Sequence, residues 1–219
     1  MITNLEPKML QLLFIVLFSY LLGSIPFGII ISRLWKGIDI REHGSKNPGA
    51  TNVYRVVGLI PALMVLILDI GKGLIATLLL SRISIGQPFL NPVSLMILAG
   101  IAVILGHVFP IFVGFKGGKG VATGLGVLIS LVPVETVIAL LLFLIIVGIT
   151  RYVSLGSLSS ASFILLALAF EKYYLHKPIS LELLVTVLVL TIFIFYTHRS
   201  NIKRLLNGTE NRFGKKITT

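Results

Sequence analysis

The 219-residue sequence has no cysteine and few charged side chains. The absence of cysteine excludes disulfides, thiolate metal sites and acyl-thioester enzyme intermediates. Charged residues make up 12% of the chain, hydrophobic residues make up 56%, and the mean hydropathy is +1.01. This composition leaves too little polar surface for a soluble globular protein of this length. The sequence therefore predicts an integral membrane protein.

Acidic residues are especially scarce, with 8 against 19 basic residues and a net charge of +11. A strongly basic chain can bind nucleic acid, but here the Lys and Arg residues form short clusters between apolar runs. That arrangement suits anionic lipid headgroups and phosphorylated small molecules. We predict a lipid bilayer and a phosphorylated substrate as partners, without nucleic acid, metal or cofactor. No protein partner is indicated, which is compatible with a monomer.

Apolar runs occur at residues 9–32, 60–80, 92–113, 121–131, 133–150, 155–170 and 181–196. The first is longer than the ~7–15-residue core of a signal peptide, and no small-x-small cleavage site follows it, so it should remain as a spanning helix. Most runs approach the ~20 residues that cross a ~30 Å hydrocarbon core, whereas 121–131 is short and 155–170 is marginal. Because backbone hydrogen bonds must close within lipid, such runs predict α-helices rather than barrel strands.

The distribution of basic residues decides whether the short run 121–131 crosses the membrane. With seven spans, fourteen Lys and Arg residues share one side and four lie on the other, with Lys72 inside a span. The four are Lys8, Arg82, Lys172 and Lys177. Without that crossing, the division becomes nine against nine. The positive-inside rule therefore predicts an all-α protein with seven transmembrane helices, an outside N-terminus and a cytoplasmic C-terminus. Residues 1–219 show no internal repeat or long linker and are predicted to form one domain.

The first polar loop covers residues 39–55 and combines turn-forming Gly, Asn and Pro with basic and small polar residues. Arginine can hold a phosphate through two parallel hydrogen bonds, while hydroxyl and amide groups supply neutral donors. The candidate phosphate contacts in this loop are Arg41, Ser45, Lys46, Asn47, Thr51, Asn52 and Arg55. A solvated loop that merely carries positive-inside charge is the alternative.

The second polar segment, residues 114–123, has two lysines and four glycines in ten positions. Glycine lets backbone N–H groups approach an anion closely, and lysine supplies charge, so the segment is a candidate phosphate cradle. A nucleotide P-loop is excluded because only three residues separate Gly114 from Gly118 and Gly120 follows Lys119. A helix beginning near Val121 would turn its positive dipole end toward the same anion. Close helix packing through glycine is the alternative.

Two further polar patches lie on the same predicted side. The first, residues 151–157, contains Ser154. It begins with an Arg-Tyr pair, and such a pair at a helix end is usually an interface anchor. In residues 198–210, His198 and Asn201 are three apart, so on a continuing helix they share one face. A basic juxtamembrane helix that binds anionic lipid is the alternative there.

Charged and titratable residues also occur inside the apolar runs. Asp69 and Lys72 are three residues apart in the second run, and the cost of charge in a membrane predicts that they form an internal ion pair. His107 lies near the end of the third run. A lone histidine at such a position is more typical of a structural hydrogen bond than of catalysis.

Together these segments resemble the bacterial acyl-phosphate-dependent glycerol-3-phosphate acyltransferases. The matching segments run in order along nearly the whole chain: Gly23-Ser-Ile-Pro-Phe-Gly28, Asp39-Ile-Arg41, Gly44-Ser-Lys-Asn-Pro-Gly-Ala-Thr-Asn52 with Arg55, Gly106-His-Val-Phe-Pro110, Phe115-Lys-Gly-Gly-Lys-Gly-Val-Ala-Thr123, His198-Arg-Ser-Asn-Ile202 and Gly208-Thr-Glu210. Lys46 departs from the family pattern, since many members have glycine there, but it keeps the loop polar.

The resemblance implies a seven-helix enzyme of the bacterial inner membrane with a cytoplasmic active site. It would transfer an acyl group from acyl phosphate to the 1-hydroxyl of sn-glycerol 3-phosphate, the first acylation of phospholipid synthesis, giving lysophosphatidic acid and inorganic phosphate. The turn Gly117-Gly118-Lys119-Gly120 would hold the acyl phosphate. The residues that would position glycerol 3-phosphate are Ser45, Arg55, Lys119, Ser154, His198 and Asn201. Further substrate contacts are expected from Asn47, Thr51, Asn52, Lys116 and Glu210.

The proton acceptor stays open between His198 and a phosphate of one substrate. Direct attack on the acyl phosphate is favoured over a covalent acyl-enzyme on Ser45. The His-x4-Asp motif of other glycerolipid acyltransferases is absent, because the residues five positions after the four histidines are Pro48, Phe112, Leu181 and Lys203.

Two other functional classes compete with an enzyme. A transporter or flippase for a phosphorylated solute would also use basic loops and glycine-broken helices, but it would normally place polar groups at the membrane midplane in paired halves. A noncatalytic lipid-binding subunit would explain the charge but not the ordered polar loops.

Overall fold

The computed structural model describes residues 6–84 and 90–214, in which the regular secondary structure is helical and no strand occurs. Two compact units divide the chain between Leu131 and Val132. The α-helices of the first unit are α1 (Glu6–Ser24), α2 (Phe27–Lys36), α3 (Ala50–Val56), α4 (Leu59–Leu78), α5 (Pro92–Val108) and α6 (Val121–Leu131). Those of the second are α7 (Pro133–Thr150), α8 (Val153–Tyr173), α9 (Leu181–Thr197) and α10 (Arg199–Leu206). Short 3-10 turns occupy Ile40–Glu42, Leu80–Arg82 and Ile111–Val113. The predicted single domain stays a prediction.

Helix packing in the first unit depends on small residues at the contacts. Helix α1 packs mainly against α5, and α4 packs against α6. A Cβ at Gly23 would overlap the carbonyl of Val103, and a Cβ at Gly106 would overlap the carbonyl of Tyr20. The α1 and α5 backbones are therefore in direct contact. In lipid, where apolar surfaces gain little by meeting each other, such close approach supplies the van der Waals contact that holds helices together.

Residues 9–36 form one candidate membrane span, which confirms the span predicted for the first apolar run, but the helix within it is interrupted. The chain leaves the helical path at Ile25 and Pro26 and resumes it at Phe27, which separates α1 from α2. Proline lacks a backbone N–H and disfavours helical geometry at the preceding residue, so the break follows from Pro26. The interruption leaves backbone carbonyls that need other donors at membrane depth.

The second unit contains the remaining long helices and the basic C-terminal segment. Helices α7 and α8 pack together, α8 packs against α9, and α10 contacts both α8 and α9. The axis bends by 61° between α9 and α10, at His198. His198 and Asn201 would share one face if the helix continued straight, but the helix bends at His198 instead. Both residues are nevertheless buried, at 3% and 6% exposure.

Within the described residues, five helical segments are long and apolar enough to cross a membrane, and the bent α9–α10 pair makes a sixth if it forms one span. These segments confirm a multi-pass membrane protein. Helix α6 begins and ends at the predicted residues, but its 11 residues cover only about 16 Å, against a hydrocarbon core of ~30 Å. Lys215 and Lys216, two of the fourteen basic residues predicted to share one side of the membrane, lie outside the described residues.

Candidate active site

The first polar loop is organised by Asn52. Its side-chain oxygen accepts a hydrogen bond from the backbone N–H of Ser45 at 2.8 Å, and its amide donates to the carbonyls of Ile40 at 3.3 Å and His43 at 3.0 Å. With 2% exposure, Asn52 is buried beneath the loop. Its polar atoms are thus committed to shaping the loop around Ser45.

The rest of this loop places its predicted site residues at the start and the end of α3. Asn47 accepts a hydrogen bond from the N–H of Gly49 at 2.9 Å, a local turn that leads into the helix. Thr51 lies half-buried in the first turn, and Arg55 lies in the last turn with 8% exposure. A guanidinium this deeply buried must be paired with acceptors or an anion, because an isolated buried charge is very costly.

The glycine segment turns back along the end of α5. Gly117 donates its N–H to the carbonyl of Val108 at 3.1 Å, and Gly118 donates to the carbonyl of His107 at 3.1 Å. The last carbonyls of a helix have no partner within it, so these two amides cap α5. A Cβ at Gly117 would overlap the carbonyl of His107, and a Cβ at Gly118 would overlap His107 Nε2. Both amides are therefore bonded to α5, and the contact of this glycine turn with an anion stays a prediction.

The remaining members of the predicted cradle lie on either side of those two glycines. Lys116 is exposed and Lys119 is half-buried. Gly120 has a φ of 81°, a left-handed conformation that favours glycine, and its carbonyl accepts the first hydrogen bond of α6, from Gly124 at 2.7 Å. Lys119 thus directly precedes a helix N-terminus, where backbone amides and the helix dipole favour an anion.

A buried cluster of Asp69, Lys72 and His107 lies beneath the glycine segment. The Nζ of Lys72 is 2.8 Å from Asp69 Oδ1, which confirms the predicted ion pair. It also donates to the carbonyls of Gly23 at 2.9 Å and Ile25 at 3.3 Å. The ammonium is therefore held by two carbonyls at the α1–α2 break and by the charge of Asp69. Lys72 stabilises that break and is not an available phosphate ligand.

His107 connects this cluster to the glycine segment. Its Nδ1 is 3.5 Å from Asp69 Oδ1, and its imidazole fills the space that a side chain at position 118 would need. This agrees with the structural role that its isolated position favours. The sequence did not predict this link, because Asp69 and His107 are 38 positions apart and their spacing follows no recognisable pattern.

A cleft in the first unit brings several of these parts together. It is lined by the α1–α2 break, by Pro48 of the first polar loop, by Asp69 and Lys72, and by His107, Pro110 and residues 116–118. Lys116, Gly117 and Gly118 are on its wall. The glycine segment therefore borders the cleft directly, whereas the 39–55 loop reaches it through Pro48, which is not one of the loop's predicted phosphate contacts.

The second unit groups two of its predicted site residues, Ser154 and Asn201, around the carboxylate of a third, Glu210. Glu210 Oε1 accepts hydrogen bonds from Ser154 Oγ at 2.9 Å and from Asn201 Nδ2 at 2.6 Å. Arg204 Nε donates to Glu210 Oε2 at 2.8 Å. These bonds fasten the chain after α10 to the start of α8. A carboxylate only accepts hydrogen bonds and repels phosphate, so Glu210 orients Ser154 and Asn201 rather than binding an anion itself.

His198 lies at the bend between α9 and α10. Its Nδ1 is 2.9 Å from the carbonyl of Ile194, and because a carbonyl can only accept, Nδ1 carries the proton of that hydrogen bond. In the neutral ring, Nε2 is then the nitrogen with the lone pair. The backbone thus selects the tautomer in which Nε2 can accept a proton.

The sequence matches the family model described as Glycerol-3-phosphate acyltransferase over residues 13–208. That match covers most of the chain. The chain belongs to this family. Members are acyltransferases, and this identifies the chain as an enzyme of that class rather than a transporter or a noncatalytic lipid-binding subunit.

Individual family members agree with this assignment. The chain is 42% identical to the Glycerol-3-phosphate acyltransferase of Chlorobaculum tepidum over 231 residues, covering 95% of this chain and 100% of that protein. It is also 42% identical to the Glycerol-3-phosphate acyltransferase of Chlorobium phaeobacteroides strain BS1, covering 93% and 97%.

Crystal structures of a family member share the fold. PlsY (YgiH), an integral membrane glycerol 3-phosphate acyltransferase, matches in its glycerol 3-phosphate form with a TM-score of 0.81 and 42% identity, covering 93% of this chain and 96% of that one. Its lysophosphatidic acid form matches with a TM-score of 0.77 and 41% identity, again covering 93% and 96%. The resemblance stated from the sequence motifs is thereby confirmed.

Proposed function

We propose that this acyltransferase moves an acyl group from acyl phosphate to the 1-hydroxyl of sn-glycerol 3-phosphate. The hydroxyl oxygen forms a bond to the acyl carbon, the bond from that carbon to the phosphate oxygen breaks, and inorganic phosphate leaves. The product is lysophosphatidic acid. The observation that carries this proposal is the similarity over nearly the full length to a family member whose crystal structures are glycerol 3-phosphate and lysophosphatidic acid forms.

In the first unit, the glycine segment and the first polar loop supply the phosphate contacts. Lys116, Lys119 and the amides at the start of α6 bind the acyl phosphate and stabilise phosphate as it leaves. Gly117 and Gly118 contribute by allowing the segment to lie directly against α5. Ser45 and Arg55, with Asn47 and Thr51 beside them, bind glycerol 3-phosphate, and Asn52 holds the loop in shape. Binding two reactants in register accelerates attack on a donor that is already activated.

In the second unit, Ser154 and Asn201 contribute substrate hydrogen bonds in orientations set by Glu210. His198 Nε2 accepts the proton of the attacking hydroxyl, in competition with a phosphate oxygen of either substrate. Attack is direct, and Ser45 binds substrate without forming an acyl-enzyme.

We place this chemistry on the cytoplasmic face of a bacterial inner membrane, with seven spans and an outside N-terminus. The support is the charge distribution, fourteen basic residues against four. Helix α6 would be the seventh span. It is short, but the glycine segment turns back beside the last turn of α5 before α6 begins, so a short helix is compatible with a crossing.

Cysteine labelling should confirm this orientation in a chain that has no cysteine of its own. Exposed positions suit the method, so Arg82→Cys should react with a membrane-impermeant maleimide in intact cells. Lys203→Cys, also exposed, should react only after the membrane is permeabilised. Labelling of Lys203→Cys from outside intact cells would contradict the seven-span orientation.

The reaction itself is tested with the purified full-length protein in detergent or liposomes. Release of inorganic phosphate from palmitoyl phosphate should require glycerol 3-phosphate, and lysophosphatidic acid should form in equal amount. Palmitoyl-CoA in place of palmitoyl phosphate is the control for donor class. Comparable product from the thioester, or phosphate release without glycerol 3-phosphate, would contradict the proposal.

A further inference from the structure

The Asp39-Ile-Arg41 motif has no part in the chemistry proposed above. Asp39 caps the 3-10 turn Ile40–Glu42, and its Oδ1 accepts from both the backbone N–H and the Nε of Arg41 at 3.0 Å. Its Oδ2 accepts from Arg41 Nη2 at 2.8 Å. This two-bond grip, together with Arg33, holds the pKa of the Asp39 carboxyl well below its usual range. The guanidinium of Arg41 is therefore fixed in place at neutral pH.

The same guanidinium reaches the glycine segment. Arg41 Nη1 donates to the carbonyl oxygen of Val113 at 3.3 Å, across 72 positions of sequence. Val113 ends the 3-10 turn Ile111–Val113 and immediately precedes Gly114. Its side chain packs against the apolar cluster that includes Ile40 and Val53 of the first polar loop. A hydrogen bond and an apolar contact thus join the two segments at one point.

The glycine segment needs an anchor at this point because of its backbone geometry. Gly114 and Phe115 have φ angles of 70° and 61°, both in the left-handed region. This region disfavours phenylalanine, so surrounding contacts must hold the reversal. At the far end, the amides of Gly117 and Gly118 bind α5. At the near end, Phe115 donates its N–H to the carbonyl of Pro110 at 2.9 Å, and Arg41 donates to the carbonyl of Val113.

We propose that Arg41 is a positioning residue that fixes the glycine segment against the first polar loop and so aligns acyl donor with acceptor. This inference rests on the proposed function, in which the glycine segment binds the acyl phosphate and the loop binds glycerol 3-phosphate. Misalignment of two bound reactants lowers turnover more than it weakens the binding of either one. Arg41 acts through Val113 and touches neither substrate.

Arg33 offers a matched control. It also pairs with Asp39, at 2.8 Å, but its side chain is 59% exposed, against 29% for Arg41, and its guanidinium donates to Asp39 rather than to the glycine segment. Lysine at either position keeps the charge. It lacks the planar fork that lets one group hold the Asp39 carboxylate and the Val113 carbonyl together.

The test compares Arg41→Lys with Arg33→Lys in the phosphate-release assay, with each substrate varied separately. Arg41→Lys should lower kcat by roughly tenfold or more, since small misplacements of reactants have effects up to about 100-fold, and should change both KM values by less than about threefold. Arg33→Lys should match the wild type within about twofold, as expected for an exposed ion pair. Unchanged kcat in Arg41→Lys, an equal loss in Arg33→Lys, or a loss matched by a lower unfolding temperature would overturn the proposal.

A second measurement does not depend on activity. Limited trypsin digestion followed by mass spectrometry reports cleavage after Lys116 and Lys119, and both cleavages should be several-fold faster in Arg41→Lys than in Arg33→Lys. Equal cleavage rates would overturn the positioning role. If the wild type released no phosphate while the cleavage rates differed, the proposed reaction would fail and the anchoring of the segment by Arg41 would stand.

Discussion

Replacing Arg55 by lysine is expected to lower kcat/KM for glycerol 3-phosphate by roughly 10- to 100-fold, although the charge is kept. Arg55 is 8% exposed, in the last turn of α3, so its contacts are made away from water. A hydrogen bond to a charged group contributes about 1.5–3 kcal/mol, and lysine cannot reproduce the planar two-bond grip on a phosphate. Initial rates with each substrate varied in turn would measure the effect.

Arg82→Lys is the control for this substitution. Arg82 is exposed at the end of the Leu80–Arg82 turn, on the side of the membrane to which the proposed topology assigns few basic residues. The same change there should leave kcat and both KM values within about twofold, because exposed charges contribute little. Thermal unfolding of both variants separates loss of substrate contact from loss of fold. Wild-type kinetics in Arg55→Lys would remove this residue from the proposed substrate site.

Gly118→Ala is expected to raise the KM for acyl phosphate about tenfold and to lower the thermal stability as well. The sequence alone predicts the first effect with little of the second. The structure adds the loss of stability, because the new methyl group would overlap His107 Nε2, and overpacking a tight site costs about 1–3 kcal/mol. Relief of that overlap moves the glycine segment away from α5, and Lys116 and Lys119 move with it.

Gly71→Ala is the matched control, since Gly71 also lies in the first unit but has open space where a Cβ would be. It is in the interior of α4, where alanine favours the helix, so stability should be unchanged or higher. The KM for glycerol 3-phosphate should stay near the wild-type value in both variants. A less stable Gly118→Ala with an unchanged KM for acyl phosphate would make the glycine segment a packing device only. The anion would then be bound by the loop of Ser45 and Arg55.

Most of the helical architecture could be predicted from the sequence, because lipid imposes one rule on the backbone. Every N–H and carbonyl must find a partner within its own helix, so an apolar run and its helix have nearly the same ends. The runs 121–131 and 133–150 coincide with α6 and α7. The exception is the break at Pro26, where the apolar character of the run concealed a residue that cannot continue the hydrogen-bond ladder.

The candidate site could be predicted only in part. Residue types marked the polar segments and the chemistry of phosphate binding, since arginine, lysine and glycine have properties that do not depend on the fold. The sequence also indicated that Asp69 and Lys72 would pair, because residues three apart on a helix share a face. It did not indicate that Asn52 shapes the loop around Ser45, or that the Glu210 carboxylate accepts hydrogen bonds from Ser154 and Asn201.

Composition, apolar run length and local spacing by themselves determined the membrane class, the helices and the candidate phosphate-binding segments. Only the tertiary structure decided what each polar group binds. Lys72 reaches the carbonyls of Gly23 and Ile25, and Arg41 reaches that of Val113. Gly117 and Gly118 use their amides to cap α5. Every residue except proline carries the same N–H and every residue the same carbonyl, so nothing in a sequence distinguishes the ones that packing brings within reach.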